Sequence, residues 1–327
     1  MGASVGAGRE ISQERPPVTV VVPTFNRAHL LPRTLPNYAQ PEVAEIIVID
    51  DGSTDNTPGL LPEMCAEYPI LSYHRLEKNR GQAAANNTGI FRCRTPFVFF
   101  GDDDSVLIEG SMAALLACMG APGETVAGAR AIYMLAGESV SEAIQRTRRS
   151  RPDIVRIQWM RTFFDDDPGR TVEVPFCPAC CLLPTRLARA VLFDPSFSGS
   201  GYREETDFQL RCAQAGARIL FCPSAVSLNL PREDSTGGAW ARGLWSYEST
   251  TRANNWRFLN RHYHYLSTGW GLRNPKWLLQ ASFTIERLSF QARQLVKSLL
   301  GERAVRAWRK ARVRLRGSGG GMRRGAA

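Results

Sequence analysis

The sequence lacks several features that would assign it to common classes of protein. It has no uninterrupted apolar run of the ~20 residues that a membrane-spanning helix needs. No GxGxxG follows the first apolar run, which counts against a dinucleotide-dependent oxidoreductase, and the absence of GxxxxGKS/T excludes a P-loop NTPase. No charged segment followed by an apolar one opens the chain, so we expect no secretory leader.

Cysteine occurs eight times, but only Cys177 and Cys180, with Cys181 beside them, have the spacing of a metal or redox pair. No second CxxC or CxxH exists to complete a zinc tetrad. The letters CPACCLL are also typical of a buried strand, in which free cysteine behaves as a small apolar residue. We therefore predict core cysteines with reduced thiols, as is usual in the cytoplasm.

The formal net charge of +10 is concentrated at one end of the chain. Residues 301–327 hold nine Lys or Arg and a single acid, Glu302, a net charge of +8, so all other residues together carry only +2. A nearly neutral body argues against nucleic acid as a partner. A basic tail is typical of a solvated end or of a segment that contacts an anionic membrane surface. We expect a cytoplasmic protein, with the inner face of the membrane as a second, peripheral location.

Apolar runs alternate with helical segments in the first half of the chain. Four strands are predicted at VTVVV (18–22), EIIVID (45–50), ILSYHRL (70–76) and PFVFF (96–100), with helices at 55–67 and 81–92. Strands that alternate with helices predict an α/β fold with a Rossmann-like, doubly wound, mostly parallel sheet. Further on, we expect a strand at 217–222 and helices at 203–216, 239–262 and 275–300.

Unusual polar residues follow three of these strands. They are Pro23-Thr24-Phe25-Asn26-Arg27 after the first strand, Asp50-Asp51-Gly52-Ser53 after the second, and Asp102-Asp103-Asp104 after the fourth. In open α/β sheets, ligands bind outside the carboxyl ends of the strands, so we expect these segments to meet at one rim.

The carboxylates of Asp102 and Asp104 suit Mg²⁺ or Mn²⁺, which are held by one or two carboxylates together with phosphate oxygens and water. Taken alone, three aspartates fit a solvated capping loop better. Asp51 has two interpretations as well, a turn and N-cap residue or an acceptor for the donor groups of a uracil or guanine base.

A second aspartate run, Asp165-Asp166-Asp167, is followed by Pro168 and Gly169, which is turn chemistry. The preceding RIQWMRTFF contains arginines and does not resemble a buried parallel strand. We interpret the second run as a surface loop.

Four stretches in combination resemble the family 2 glycosyltransferases: VTVVVPTFNR, EIIVIDDGSTDNT, NRGQAAANNTGI and FVFFGDDD. The resemblance covers roughly residues 17–265. It implies a glycosyltransferase A-type fold, a nucleotide-diphosphate sugar donor (UDP, dTDP or GDP) and a Mn²⁺ or Mg²⁺ ion held by Asp102 and Asp104. The nucleotide-binding residues it implies are Pro23, Thr24, Phe25, Asn26, Arg27, Asp51, Gly52, Arg80, Asp102 and Asp103.

The segment FDPSFSGSGYREETDFQLR (193–211) is similar to the acceptor-side segment of the same family. Glu205 occupies the position of the catalytic carboxylate, which is more often Asp, and Glu204 precedes it. Acids also suit a helix start, and Asp207 can pair with Arg211, which leaves Glu205 on a different face. Glu205 is therefore the predicted general base, with Glu204 as the alternative.

One residue departs from the family pattern. Asn229 stands where relatives often have a histidine, and Asn is a poorer metal ligand, which puts a third protein ligand in doubt. The predicted function is inverting, metal-dependent transfer of a sugar to a hydroxyl of a glycan or lipid-linked acceptor. The alternative is a nucleotide-sugar-binding protein without transfer. A nucleotidyltransferase is weaker, because its glycine-rich loop is missing after the first strand.

The predicted organisation has four parts. Residues 1–16 form a disordered N-terminus, and residues 17–265 form a catalytic domain with a nucleotide-binding half (17–120) and an acceptor half (121–265). Residues 266–300 form a helical segment, and residues 301–327 form the basic tail.

Overall fold

The computed structural model describes residues 17–120, 124–238, 243–293 and 295. Its internal contacts divide the chain after Arg273 into two units. The first unit contains the sheet and its helices, and in the second unit residues 276–293 are helical. The predictions for residues 1–16 and 301–327 lie outside the described residues. None of the helices in the described ranges has both the length and the apolar character needed to cross a bilayer.

The first unit alternates strands and helices along its N-terminal half, as predicted. The strands are β1 (Val18–Thr24), β2 (Val43–Asp50), β3 (Leu71–Arg75), β4 (Phe97–Phe100), β5 (Ser105–Leu107), β6 (Thr125–Tyr133), β7 (Val155–Arg156), β8 (Arg161–Thr162), β9 (Val172–Glu173), β10 (Cys181–Pro184) and β11 (Arg218–Asn229). The α-helices are α1 (Leu31–Thr34), α2 (Thr57–Glu67), α3 (Gln82–Arg92), α4 (Ser111–Ala117), α5 (Val140–Arg146), α6 (Thr185–Val191), α7 (Glu204–Gln214) and α8 (Leu244–Trp270).

Nine of these strands form one sheet in the order β3-β2-β1-β4-β10-β6-β11-β5, with β9 paired to β11. The long ladders β3-β2-β1-β4 and β6-β11 are parallel. The short strands β5, β9 and β10 join antiparallel. The mostly parallel α/β sheet is thus confirmed. The separate hairpin β7-β8 lies in the insertion that carries the second aspartate run.

The continuous apolar runs are explained by cores on both faces of the sheet. Val20 and Val22 of β1 pack in one core with residues of α1, α2 and α4, whereas Val21 packs in the other with residues of α3, α6 and α7. Because successive side chains of a strand point to opposite faces, a strand that is covered on both sides must be apolar throughout.

Two elements run further than predicted. β11 continues beyond residue 222 to Asn229, and its pairing with β6 skips from Cys222 to Val226 because Pro223 has no N–H for the ladder. Helix α8 continues beyond residue 262 to Trp270, where Gly271 with φ +69° ends it. The domain boundary expected after residue 265 falls within this helix. The cysteines Cys177, Cys180 and Cys181 are buried free thiols, as predicted.

Candidate active site

The loops after β1 and β2 are joined by Asn26. Its backbone has φ +54°, a left-handed conformation that Asn tolerates better than most residues. Its N–H donates to Ser53 Oγ (2.9 Å), and its Oδ1 accepts from the N–H of Thr54 (2.7 Å). The segment Pro23–Arg27 is therefore held against the end of β2, as the convergence of strand ends requires.

Asp51 connects the end of β2 to the loop before α3. Its carboxylate is buried, with Oδ1 accepting from the N–H of Arg80 (2.7 Å) and Oδ2 from the N–H of Gly81 (2.8 Å). Gly52 has φ +75°, and a Cβ there would lie 2.7 Å from the carbonyl carbon of Lys78. The structure therefore places Asp51 and Gly52 against the backbone of residues 78–81. The Arg80 side chain is exposed beside them.

The three aspartates after β4 have different surroundings. Asp103 is buried, accepting from Thr24 Oγ1 (2.7 Å) and pairing with Arg27 (2.5 Å), which also reaches Asp104 (3.0 Å). Burial alone lowers the pKa of Arg27, but the charges of Asp103 and Asp104 outweigh burial and raise it above its ordinary value. Asp103 therefore anchors the rim, and Asp104 is partly neutralised by the same guanidinium.

The backbone of this loop is held by a residue that the sequence reasoning missed. The hydroxyl of Tyr38, whose side chain is fully buried, donates to the carbonyl of Asp102 (2.9 Å) and accepts from its N–H (3.0 Å). Thr34 Oγ1 also donates to the carbonyl of Asp103 (3.0 Å). These bonds hold the carboxylate loop in one position, and no local motif indicates them.

Asp102 faces a cavity of about 410 Å³, whose lining also includes Glu205 and Cys180. The Asp102 carboxylate accepts a weak hydrogen bond from the Cys180 thiol at 3.5 Å. Burial, followed by the nearby charges of Asp104 and Glu205, raises the pKa of Asp102 to about 8. The cavity thus brings together carboxyl groups whose ionised forms a bound cation would stabilise.

The two glutamates at the start of α7 occupy different environments. Glu205 lines the cavity, and Gln82 Nε2 donates to its Oε1 at 3.1 Å. Burial raises the pKa of Glu205 to about 7, although the bond from Gln82 acts in the opposite direction. Glu204 is 1% exposed, and its Oε1 has no hydrogen-bond partner among the described residues. Only Glu205 of the pair faces the cavity.

The N-terminus of α7 is fixed by charge pairs and by one strained residue. Asp207 pairs with Arg211, as predicted, and also with Arg261 and His262 of α8, each at 2.8 Å. Arg203, which precedes the helix, has φ +71°, and its guanidinium lies over the rings of Phe176, Tyr202 and Phe258 at 5.0–5.7 Å. The direction of Glu205 is therefore determined by packing on both sides of the helix start.

The second aspartate run, which the sequence suggested to be a surface loop, contains one buried residue and is packed by arginines. Asp166 is 6% exposed and pairs with Arg151 at 2.6 Å. The buried Arg130 donates to the carbonyl of Asp165 through Nε (3.0 Å) and Nη2 (2.9 Å). Asp165 lines the same cavity as Glu205. The turn chemistry was recognised correctly, but the arginines that pack this turn against β6 lie too far along the chain to be paired with it from sequence.

The protein side chains near the cavity suit a divalent cation only if other groups supply most of its ligands. Within the described ranges, no group of three or more His, Cys, Asp or Glu side chains is placed to hold a metal. Asn229 lines the cavity, and its Oδ1 accepts from Ser105 Oγ at 2.9 Å. Two carboxylates, Asp102 and Asp104, remain as candidate ligands, which is the number that Mg²⁺ or Mn²⁺ uses when substrate phosphates complete the shell.

Comparison with known proteins identifies the family. The family model described as "Glycosyl transferase family 2" matches residues 19–188, more than half of the chain. The chain belongs to glycosyl transferase family 2. The matched residues include all of the strand-end loops described above.

Two curated relatives of this family member match about 100 residues each. The succinoglycan biosynthesis protein ExoU of Rhizobium meliloti is 34% identical over 100 residues, 30% of this chain and 29% of that protein. The GalNAc(5)-diNAcBac-PP-undecaprenol beta-1,3-glucosyltransferase of Campylobacter jejuni is 32% identical over 105 residues, 31% of this chain and 34% of that protein. The matched region thus spans about a third of each relative's length.

Among solved structures, a mannosyltransferase from Pyrobaculum calidifontis, in complex with GDP-Man and Mn²⁺, has a TM-score of 0.54. It is 17% identical, and the match covers 93% of this chain and 81% of that one. At this identity the likeness establishes the fold, which is the glycosyltransferase A-type fold expected from the sequence.

Proposed function

We propose that this family 2 protein is an inverting, metal-dependent glycosyltransferase that moves a sugar from a nucleotide-diphosphate sugar to an acceptor hydroxyl. The observation that carries the proposal is that the carboxyl groups of Asp102 and Glu205 line one cavity at the carboxyl ends of the strands. In this proposal, Asp102 belongs to the side that holds the diphosphate, and Glu205 serves in proton transfer.

In the proposed reaction, the acceptor oxygen forms a bond to the anomeric carbon while the bond from that carbon to the diphosphate breaks. Glu205 takes the proton of the acceptor hydroxyl, and a base with a pKa near 7 is well matched to this task at neutral pH. Gln82 orients Glu205 by donating to its Oε1. A single displacement of this kind inverts the anomeric configuration.

On the donor side, Asp102 and Asp104 would hold a Mn²⁺ or Mg²⁺ ion, which would stabilise the charge of the departing diphosphate. Arg27 limits the repulsion among the three aspartates through its pairs with Asp103 and Asp104. The nucleotide would lie against the loops of Pro23–Arg27 and Asp51–Gly52, with the exposed Arg80 near its phosphates. The Mn²⁺ and GDP-Man in the Pyrobaculum neighbour support this arrangement.

The acceptor is a glycan or a lipid-linked molecule, and the Campylobacter relative, named for an undecaprenyl-linked acceptor, supports the second type. A donor panel tests the proposal against the alternative of binding without transfer. Purified protein with Mn²⁺ should release nucleoside diphosphate from one of the UDP-, GDP- and dTDP-sugars, at least slowly by hydrolysis. Binding of a donor without release of nucleoside diphosphate, whichever acceptor is added, would instead support the alternative.

A further inference from the structure

The second aspartate run contributes one residue, Asp165, to the lining of the cavity, and Asp166 and Asp167 are not part of that lining. Asp166 is buried against Arg151. Asp167 Oδ1 accepts from the N–H of Gly169 at 2.7 Å, which closes the turn. Asp165 lines the cavity, and no described residue donates a hydrogen bond to its carboxylate. The three residues therefore have separate roles, and only Asp165 is available to a ligand in the cavity.

The position of Asp165 is fixed by its backbone. Its carbonyl accepts two hydrogen bonds from the guanidinium of Arg130, which is 4% exposed on β6 and also donates to the carbonyl of Thr147 at 2.6 Å. Such charge-assisted bonds are among the stronger ones in proteins. A carboxylate that is held at a cavity wall without a protein donor is preorganised to accept hydrogen bonds from a ligand.

The charges around the cavity restrict what that ligand is. Its described lining contains three carboxyl groups, Asp102, Asp165 and Glu205, and a single guanidinium, Arg203. Arg203 is already engaged by the three aromatic rings over which it lies and by Asn255 Oδ1 at 3.4 Å. Arg130 and Arg146 add positive charge near Asp165, but neither lines the cavity. If Asp102 and the cation serve the donor diphosphate, the acceptor side is lined by Asp165 and Glu205, which disfavours an anionic acceptor.

The remaining lining suits a sugar. Tyr133, whose side chain is 69% exposed, and Tyr202 supply aromatic rings, and Thr162, Asn229 and Gln82 supply hydrogen-bonding groups. A site built to hydrogen-bond hydroxyl groups discriminates strongly against ligands that lack them, because its own polar groups would be left unpaired. After Glu205, the carboxylate of Asp165 is the strongest hydrogen-bond acceptor in this set.

We propose that the acceptor group bound in this cavity is a saccharide without an acidic substituent, and that Asp165 selects it by accepting hydrogen bonds from its hydroxyls. The inference rests on the proposed glycosyl transfer and adds the class of acceptor and a specificity-determining residue to it. Asp165 contacts substrate in this account but takes no part in proton transfer, which belongs to Glu205.

The test uses the full-length protein with Mn²⁺ and a donor that it hydrolyses. The acceptor probes are the methyl β-glycosides of glucose, galactose and N-acetylglucosamine, with methyl β-glucuronide as the acidic counterpart. Binding is followed by saturation-transfer NMR, and transfer by nucleoside diphosphate release above the acceptor-independent rate. We expect at least one neutral glycoside to bind and be glycosylated and the glucuronide to be rejected.

The variants are Asp165→Ala and Asp165→Asn, with Asp167→Asn as the matched control in the same run. Asp165→Ala removes a charged carboxylate to which the hydroxyls of the saccharide would donate hydrogen bonds. We therefore expect the KM for the saccharide acceptor to rise about tenfold or more, with donor hydrolysis unchanged. Asp165→Asn should reduce the difference in acceptor KM between the glucoside and the glucuronide. Asp167→Asn should have the same acceptor KM as the wild type.

An unchanged acceptor KM in Asp165→Ala, equal use of the glucuronide by the wild type, or no binding of any neutral glycoside would each overturn the inference. Parallel loss of donor hydrolysis in Asp165→Ala would do so too, because the residue would then serve the donor side or the fold. Absence of donor hydrolysis in the wild type is a different result, since it contradicts the proposed function itself and is seen before any acceptor is added.

Discussion

Replacing Glu205 by Gln removes the proposed base with minimal change of shape. Gln82 still has an oxygen to which its Nε2 can donate, because a glutamine carbonyl replaces the carboxylate Oε1 at 3.1 Å. No described residue forms an ion pair with Glu205, and the substitution removes one of the charges that raise the pKa of Asp102. Donor affinity should therefore not fall by more than about twofold, well below the tenfold that 1.4 kcal/mol represents.

Transfer should fall by ~10²–10⁴, the usual worth of a positioned acid–base group, which corresponds to about 3–5 kcal/mol of lost transition-state stabilisation. The pH profile provides a second readout. A base with a pKa of about 7 must be deprotonated to act. At saturating metal, which would keep Asp102 ionised, wild-type kcat/KM should therefore rise with pH up to about 7 and then level off. The variant should lose this rise along with its activity.

The assay is single-turnover transfer of a labelled sugar across pH 5.5–8.5, a range of roughly 1.5 units on either side of that pKa, with donor binding measured by calorimetry. Glu204→Gln is the matched control, because Glu204 is buried away from the cavity and should be dispensable for transfer. Normal transfer by Glu205→Gln together with loss in Glu204→Gln would refute the assignment and move the base by one residue.

Three further outcomes are expected. Asp104→Ala should abolish metal-dependent donor binding measured by calorimetry, whereas Asp166→Ala should leave that binding intact. Asp166→Ala should instead lower the melting temperature, because it removes the buried partner of Arg151. Equal loss of donor binding in both variants would contradict the different roles of the two aspartate runs. Burial raises the pKa of Glu204 above its ordinary value of 4.5, so folding stability is lost as pH rises above 4.5. Glu204→Gln should therefore melt at a higher temperature than the wild type at pH 7 but not at pH 4. A lower melting temperature of the variant at pH 7 would contradict this direction of the pKa shift. The protein should float with anionic vesicles but not with neutral ones, and this binding should weaken with salt and be lost when residues 301–327 are deleted. Absence of flotation at low salt would mean that the tail does not bind membranes.

The parallel half of the sheet was predictable because its strands are buried on both faces. VTVVV and EIIVID have no polar alternation, and that pattern is found almost only where helices cover both sides of a sheet. The antiparallel insertion of β10 between β4 and β6 was not predictable, since the run CLLP is equally apolar in either direction. The continuation of β11 past Pro223 was missed because a proline normally interrupts a ladder.

The candidate site was predictable where its residues follow strands directly, as Asp51 and Asp102 do. Residues that complete it from a distance were not, because nothing local marks them. Gln82 and Glu205 are 123 positions apart, Cys180 and Asp102 are 78 apart, and Tyr38 and Asp102 are 64 apart. The second aspartate run shows the same limit, since its turn was legible while its contacts with Arg130 and Arg151 were not.

In the proposed enzyme, one cavity brings together a donor-side carboxylate, Asp102, and a catalytic base, Glu205, for sugar transfer. The most direct measurement is the release of nucleoside diphosphate from a panel of UDP-, GDP- and dTDP-sugars by the purified protein, with and without Mn²⁺. We expect release from at least one donor, and we expect this release to require the metal and to be lost in Asp104→Ala. Tight binding of a donor with no release, in the presence of the metal and of every acceptor tried, would contradict it.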